Sequence, residues 1–192
     1  FQAIEIDGDP YWDGGFSGNP TIMPLVRECS ASDTVLVQIN PVERPGTPRS
    51  ARDILNRLNE ISFNSPLLKE LKLIALLRQD RFADLPPRFA LVVLGSEGRG
   101  EQTLLTDQDN AIVYGDELGP DELRKIEEFS QALVDSLIAI GIPPCPGGIM
   151  ANNKEWRRSL SKWQDQLDRW LKVPTPKHVL SCGTFVDIRT IY

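Results

Sequence analysis

Strand-like and helix-like spacings of apolar residues alternate along this chain. Residues 1–6 alternate apolar and polar positions, as a strand does, and Gly8-Asp9-Pro10 reads as a turn. Residues 33–39 (DTVLVQI) have the unbroken apolar run of a buried strand, ended by Asn40-Pro41. From Ser50 the period becomes helical. Ile54, Leu55, Leu58 and Ile61 form one stripe, and Leu67, Leu68, Leu71, Ile74 and Ala75 continue it after an expected break at 64–66. Residues 89–94 and 110–114 are two further strand-like runs. Pro120 opens a helix with Asp121 and Glu122 in its first turn. Its apolar stripe runs through Ile126, Phe129, Leu133 and Leu137 to Ile140, and Gly141 stops it. Residues 142–148 (IPPCPGG) form a turn-rich loop. Asn152 or Asn153 is expected to cap a helix on which Trp156, Leu160, Trp163, Leu167 and Trp170 share a buried face, with Arg157 and Arg158 near the opposite side. Residues 184–189 read as a last strand around Asp187. The class is α/β, with a small mixed sheet that carries carboxylates on one face and helices on the other.

The chemistry concentrates in FALVVLGSEGRGEQTLLTDQDNAIVY, residues 89–114. Gly95-Ser96-Glu97-Gly98-Arg99-Gly100 offers three glycines, a hydroxyl and a guanidinium, and turns of this kind bring backbone N–H groups close to phosphate. Asp107 and Asp109, two apart on an extended segment, project together. Paired carboxylates repel unless a cation lies between them, and oxygen-rich sites suit Mg²⁺, which takes its remaining ligands from water and substrate phosphates. Asp187 is a charged residue among apolar neighbours and needs a reason to be there. A calcium loop would need glycine at the sixth position from Asp107, where Ile112 stands. A P-loop would need lysine where Glu101 stands, and no G-x-G-x-x-G occurs.

G-S-x-x-R, then T-D-x-D after six residues, then a later Asp, resembles the polymerase-beta-type nucleotidyltransferases. Over residues 85–192 the chain resembles more closely the nucleotidyltransferase domain found beside CBS and cyclic-nucleotide-binding modules, which is related to bacterial uridylyltransferases acting on nitrogen-signalling proteins. The segments CPGGIMANNKEWRRSL and FVDIR share in this likeness. The resemblance implies Gly95 and Ser96 at a nucleoside triphosphate, with Arg99 adding charge. Asp107, Asp109 and Asp187 are implied as ligands of Mg²⁺ or Mn²⁺, and a hydroxyl, on a protein, as acceptor. It also implies that 142–148 walls the substrate.

Residues 1–80 resemble the C-terminal half of a patatin-like phospholipase, a partial α/β layer, through YWDGGFSGNP, DTVLVQINP and RDILNRLNEISFNSPLLKEL. There Asp13 matches the aspartate of a Ser–Asp dyad for acyl-ester hydrolysis. The nucleophile's G-x-S-x-G turn is absent from the 192 residues, so no lipid hydrolysis is expected from this piece. A start at Phe1 and the missing serine suggest a fragment, or two regions joined through the polar, proline-ended segment 78–87. A regulatory module that binds nucleotide without turnover remains an alternative.

Composition narrows the partners. Hydrophobic residues make up 41% and charged residues 25%, as in ordinary globular chains. A net charge of −6 argues against a nucleic-acid partner, which calls for a basic footprint. No apolar run has membrane-span length. Cys29, Cys145 and Cys182 are too scattered for a disulfide framework or zinc motif and fit reduced thiols in a cytoplasmic protein. The single histidine, His178, excludes a multi-histidine metal site within this chain. Oligomeric state is open.

Overall fold

The computed structural model describes residues 3–11, 22–30, 34–38, 40–41, 43–77, 79–99 and 107–192. Strands β1 (Ile4–Ile6) and β2 (Asp9–Tyr11) form an exposed antiparallel hairpin. Its two-residue turn is Asp7-Gly8, both at positive φ (53° and 90°), so residue 9, expected in the turn, starts the second strand. Helix α1 (Met23–Glu28) follows, and its first amides point at Glu70: Ile22 and Met23 donate to Glu70 Oε2 at 2.5 and 3.1 Å. The buried strand expected at 33–39 is not formed over its described residues, 34–38. Residues 34–38 have no regular structure, and Val35 and Val37 are 88% and 80% exposed. Among the described residues no sheet lies beside this run, so its apolar sequence has no ladder to join.

Helix α2 (Ala51–Leu77) passes through Pro66 without the expected break. Its buried face also differs from the expected stripe. Ile54 and Leu55 are exposed, whereas Leu67, Leu73 and Leu76 are buried. Tertiary contact with α4 (Pro120–Ala139) selects that face. Leu73 and Leu76 share one core with Phe82, Leu91, Ile112, Ile126, Phe129 and Leu133. Phe129 takes Phe82 and Phe89 edge-on at centroid distances of 5.4 and 5.7 Å.

The central sheet has the order β5-β4-β3-β6, from β3 (Phe89–Val93), β4 (Asn110–Tyr114), β5 (Arg157–Ser159) and β6 (Arg189–Thr190). It is mixed: β3 pairs antiparallel with β4 and β6, and β4 pairs parallel with β5. Helices cover both faces rather than one. Leu91 and Ile112 face α2 and α4, while Val92 and Ala111 face the side of α5 (Leu160–Lys172) and α6 (Pro176–Val186). On this second side Trp156, Trp163 and Trp170 pack together with centroid separations of 5.8, 5.9 and 6.4 Å. The indole N–H of Trp163 donates to Ile112 O of β4 at 3.0 Å. The tryptophans are therefore core, as their spacing implied. Their helix begins only at Leu160, after Ser159, and Trp156 precedes a strand. Arg157 is drawn into the interior, donating to Ser130 Oγ, Ala151 O and Glu127 Oε1. The last segment also departs from expectation. Residues 184–186 belong to α6, Asp187 is its C-cap, and the strand starts at Arg189. Among the described residues no helix is long and apolar enough to cross a membrane.

Candidate active site

The site forms where β3 ends and β4 begins. Leu94 N donates to Asp109 O at 2.9 Å, extending the β3–β4 pairing by one step and setting Asp109 opposite Leu94, with its side chain beside Gly95. Gly95 opens a single helical turn, α3 (Gly95–Gly98), which also contains Ser96. Gly95 sits at φ +55°, and a Cβ there would lie 3.1 Å from Asp109 Oδ2 and 3.5 Å from Thr184 Cγ2. A Cβ at Gly98 would lie 1.7 Å from Asp187 O, inside the backbone of the α6 C-terminus. Glycine at these two positions allows the turn to seat between the carboxylate and α6.

Three connections hold the turn. Glu97 and Lys69 of α2, each 7% exposed, form a buried ion pair at 2.6 Å. Arg189 of β6 donates to Glu97 O at 3.2 Å. Arg99 pairs with Asp187 Oδ2. Asp187 thus stands at the glycine turn, held to Arg99 rather than on a strand beside the other two aspartates.

Asp107 and Asp109 do converge. One ligand atom from each, together with Cys145 Sγ, lies within 4.8 Å of the others. The residue between them explains the arrangement. Gln108 is fully buried on the opposite side, bridged to Pro144, with its amide nitrogen donating to Ile142 O at 3.1 Å. Asn110 fixes the loop after α4 further: its N donates to Ile149 O at 3.1 Å, and its Oδ1 accepts from Ala151 N at 2.8 Å. Loop 142–149 is thereby clamped along the carboxylates and brings Cys145 to them.

Burial, first, pushes the Asp109 carboxyl above the ordinary carboxylate range. The Cys145 thiol hydrogen bond opposes the rise, the neighbouring Asp107 charge adds to it, and Lys69 opposes it. Desolvation and then the Asp109 hydrogen bond push the Cys145 thiol up to about 11. Cys145 is therefore a neutral donor near pH 7, and a neutral thiol is a poor partner for a hard cation. Asp109 Oδ1 is buried with no hydrogen-bond partner among the described residues. An orphaned carboxylate oxygen beside a second carboxylate fits a hard divalent cation.

The sequence-expected residues Gly95, Ser96, Asp107 and Asp109 thus come together where β3 ends and β4 begins, with Arg99 at the end of the turn and Asp187, at the end of α6, paired to it. Asp13 lies outside the described residues, as do residues 100–106 of the central motif. Cys145 and the Lys69–Glu97 pair were not legible as site residues. Glu97 carried a faint signal as an acid inside an otherwise anion-receptive turn, but nothing near it in sequence supplies its cation.

A family model described as a nucleotidyltransferase matches residues 53–177. The match starts inside α2, ahead of the residue 85 expected from sequence, and runs through both carboxylates to the start of α6. No curated protein matches the chain, and no solved structure does. The patatin-like resemblance of residues 1–80 gains no support from the fold or from these comparisons. With about two thirds of its length matched, and strands β3, β4 and β5, the glycine turn and the paired carboxylates inside the match, the chain belongs to the putative nucleotidyltransferase family DUF294.

Proposed function

We propose that this chain transfers a nucleoside monophosphate from a nucleoside triphosphate to a hydroxyl acceptor, on a protein, with Mg²⁺ or Mn²⁺. The observation that carries this reading is the contact of Asp109 with the turn: its Oδ2 lies 3.1 Å from where a Gly95 side chain would begin, while Asp107 brings a carboxylate oxygen within 4.8 Å of an Asp109 oxygen. Phosphates seated on the Gly95–Gly98 turn would meet both carboxylates. That encounter is repulsive without a cation, and a divalent ion held by Asp107 and Asp109 would supply charge neutralisation of the phosphates.

The chain's own residues take the remaining roles. Backbone amides around Gly95 and the Ser96 hydroxyl hold the outer phosphates, and Arg99 offers a guanidinium to them. Lys69 and Arg189 fix the turn through Glu97, so that it is preorganised. Asp187 keeps Arg99 in place and either completes a second cation position or takes the proton of the attacking hydroxyl. In the transfer, the acceptor oxygen forms a bond to the α-phosphorus. The bond from that phosphorus to the bridging oxygen breaks, and pyrophosphate leaves with the electron pair.

Titration calorimetry with ATP, GTP, CTP and UTP, with and without Mg²⁺, tests the binding, and pyrophosphate release tests the transfer. The expected result is Mg²⁺-dependent binding of one nucleotide, lost in Asp107→Ala, and turnover abolished in Asp109→Asn. Binding without pyrophosphate release, with candidate acceptors present, would leave a regulatory nucleotide module. No binding by the folded protein would remove the reading.

A further inference from the structure

A cavity of about 610 Å³ lies beyond loop 142–149 from the carboxylates, between that loop, α5 and α6. Its size is that of a small-molecule site. Asp107, Asp109, Gly95 and Ser96 do not line it, so it is a different compartment from the proposed triphosphate site. The two share walls. Gly147 and Ile149 face the cavity, while Cys145 of the same loop meets the aspartates. On α6, Ser181 faces the cavity and Thr184 reaches Gly95.

The charge of the lining runs against that of the molecule. Arg158, Lys162, Arg169 and Lys177 stand against only Glu155 and Asp165, in a chain whose net charge is −6. Among the described residues, Arg169 and Lys177 form no ion pair, although acids are abundant. Lys177 and His178 belong to the first turn of the 11-residue helix α6, whose N-terminus is capped by Thr175 Oγ1 accepting from His178 N at 3.2 Å, so α6 contributes its side-chain charge to the cavity. Trp156 and Trp170 supply an apolar side. Two guanidiniums and two ammoniums around a partly apolar cavity match a multiply charged oxyanion on an organic body.

We propose that this cavity binds a phosphate-bearing small molecule, without a metal ion, in a second site beside the carboxylate centre. The phosphate can belong to a nucleotide or to a phosphorylated acceptor. The site stands whether or not the transferase reading holds, because its recognition uses neither Asp107, Asp109 nor Asp187.

The test is calorimetry in EDTA with three probes, inorganic pyrophosphate, UTP and glucose 6-phosphate, followed in parallel by tryptophan fluorescence. At least one probe is expected to bind the wild-type chain and Asp109→Asn, and to bind Arg169→Glu/Lys177→Glu at least tenfold more weakly. Binding confined to pyrophosphate and UTP assigns the site to a nucleotide, and binding of glucose 6-phosphate assigns it to a phosphorylated acceptor. Both replaced residues are exposed, and Arg169→Gln/Lys177→Gln provides the same comparison if charge reversal disturbs the fold. Three outcomes would overturn the proposal: no binding of any probe, equal binding by the charge variants, or binding that appears only with Mg²⁺ and vanishes in Asp109→Asn.

Discussion

Asp109 is placed against its own ionisation. Burial raises its carboxyl above the ordinary value of 3.8, with Asp107 adding to the rise, and the opposing Cys145 hydrogen bond and Lys69 charge do not cancel it. The folded state therefore holds the proton more tightly than the unfolded chain. The associated stability is fully present below pH 3.8 and is lost as pH rises through the higher folded value. At neutral pH the ionised carboxylate opposes folding. Asp109→Asn is thus expected to melt at a higher temperature than wild type at pH 7 in chelator, with the gap closing as pH falls through the raised folded value and gone below 3.8, while nucleotide turnover is lost. Thermal denaturation across pH checks this. A lower melting temperature for the variant at pH 7 would make Asp109 a structural anchor instead of a site carboxylate.

At the scale of elements, α2 and the glycine turn meet through one buried ion pair. Lys69 and Glu97 are 28 residues apart in sequence, and their ammonium and carboxylate are 2.6 Å apart with almost no water access. Breaking such a pair from one side strands a charge and typically costs about 3–5 kcal/mol, whereas replacing both partners by apolar groups is often close to neutral. Lys69→Met is expected to lose stability in that range, and Lys69→Met/Glu97→Leu to recover most of it, as read by urea denaturation. If the double variant is stable but binds nucleotide poorly, the pair serves to fix the turn. If Lys69→Met is as stable as wild type, the two elements are not coupled in this way.

For the whole molecule, α2 belongs to the core that carries the site. Leu67, Leu73 and Leu76 are each no more than 3% exposed. At roughly 1.5–3 kcal/mol for each fully buried leucine, their loss is comparable to the stability of a typical domain, about 5–15 kcal/mol. A fragment beginning at residue 85 is therefore expected to show no cooperative unfolding transition, while one beginning at residue 43 does. Circular dichroism with denaturant separates the two. Cooperative folding of the shorter fragment would place the domain boundary at the polar, proline-ended segment after α2, where composition alone suggested it.

Local sequence determined the parts whose cause is local. Continuous apolar runs rich in strand-forming residues set β3 and β4, the proline, acids and glycine set the limits of α4, and the i, i+2 spacing of Asp107 and Asp109 put them on one side of an extended segment. The glycines of the 95–100 motif announced a tight approach before its partner was known. Tertiary structure decided everything that depends on a distant neighbour. Residues 34–38 have the composition of a strand, but among the described residues no strand pairs with them. The buried face of α2 is the one that meets α4, and Asp187 sits at a helix end because α6 extends two residues past Thr184. The cation of Glu97, the thiol of Asp109 and the basic cavity behind loop 142–149 all join residues that lie tens of positions apart. Side-chain periodicity reports only which face a segment offers, and what covers that face is settled by packing.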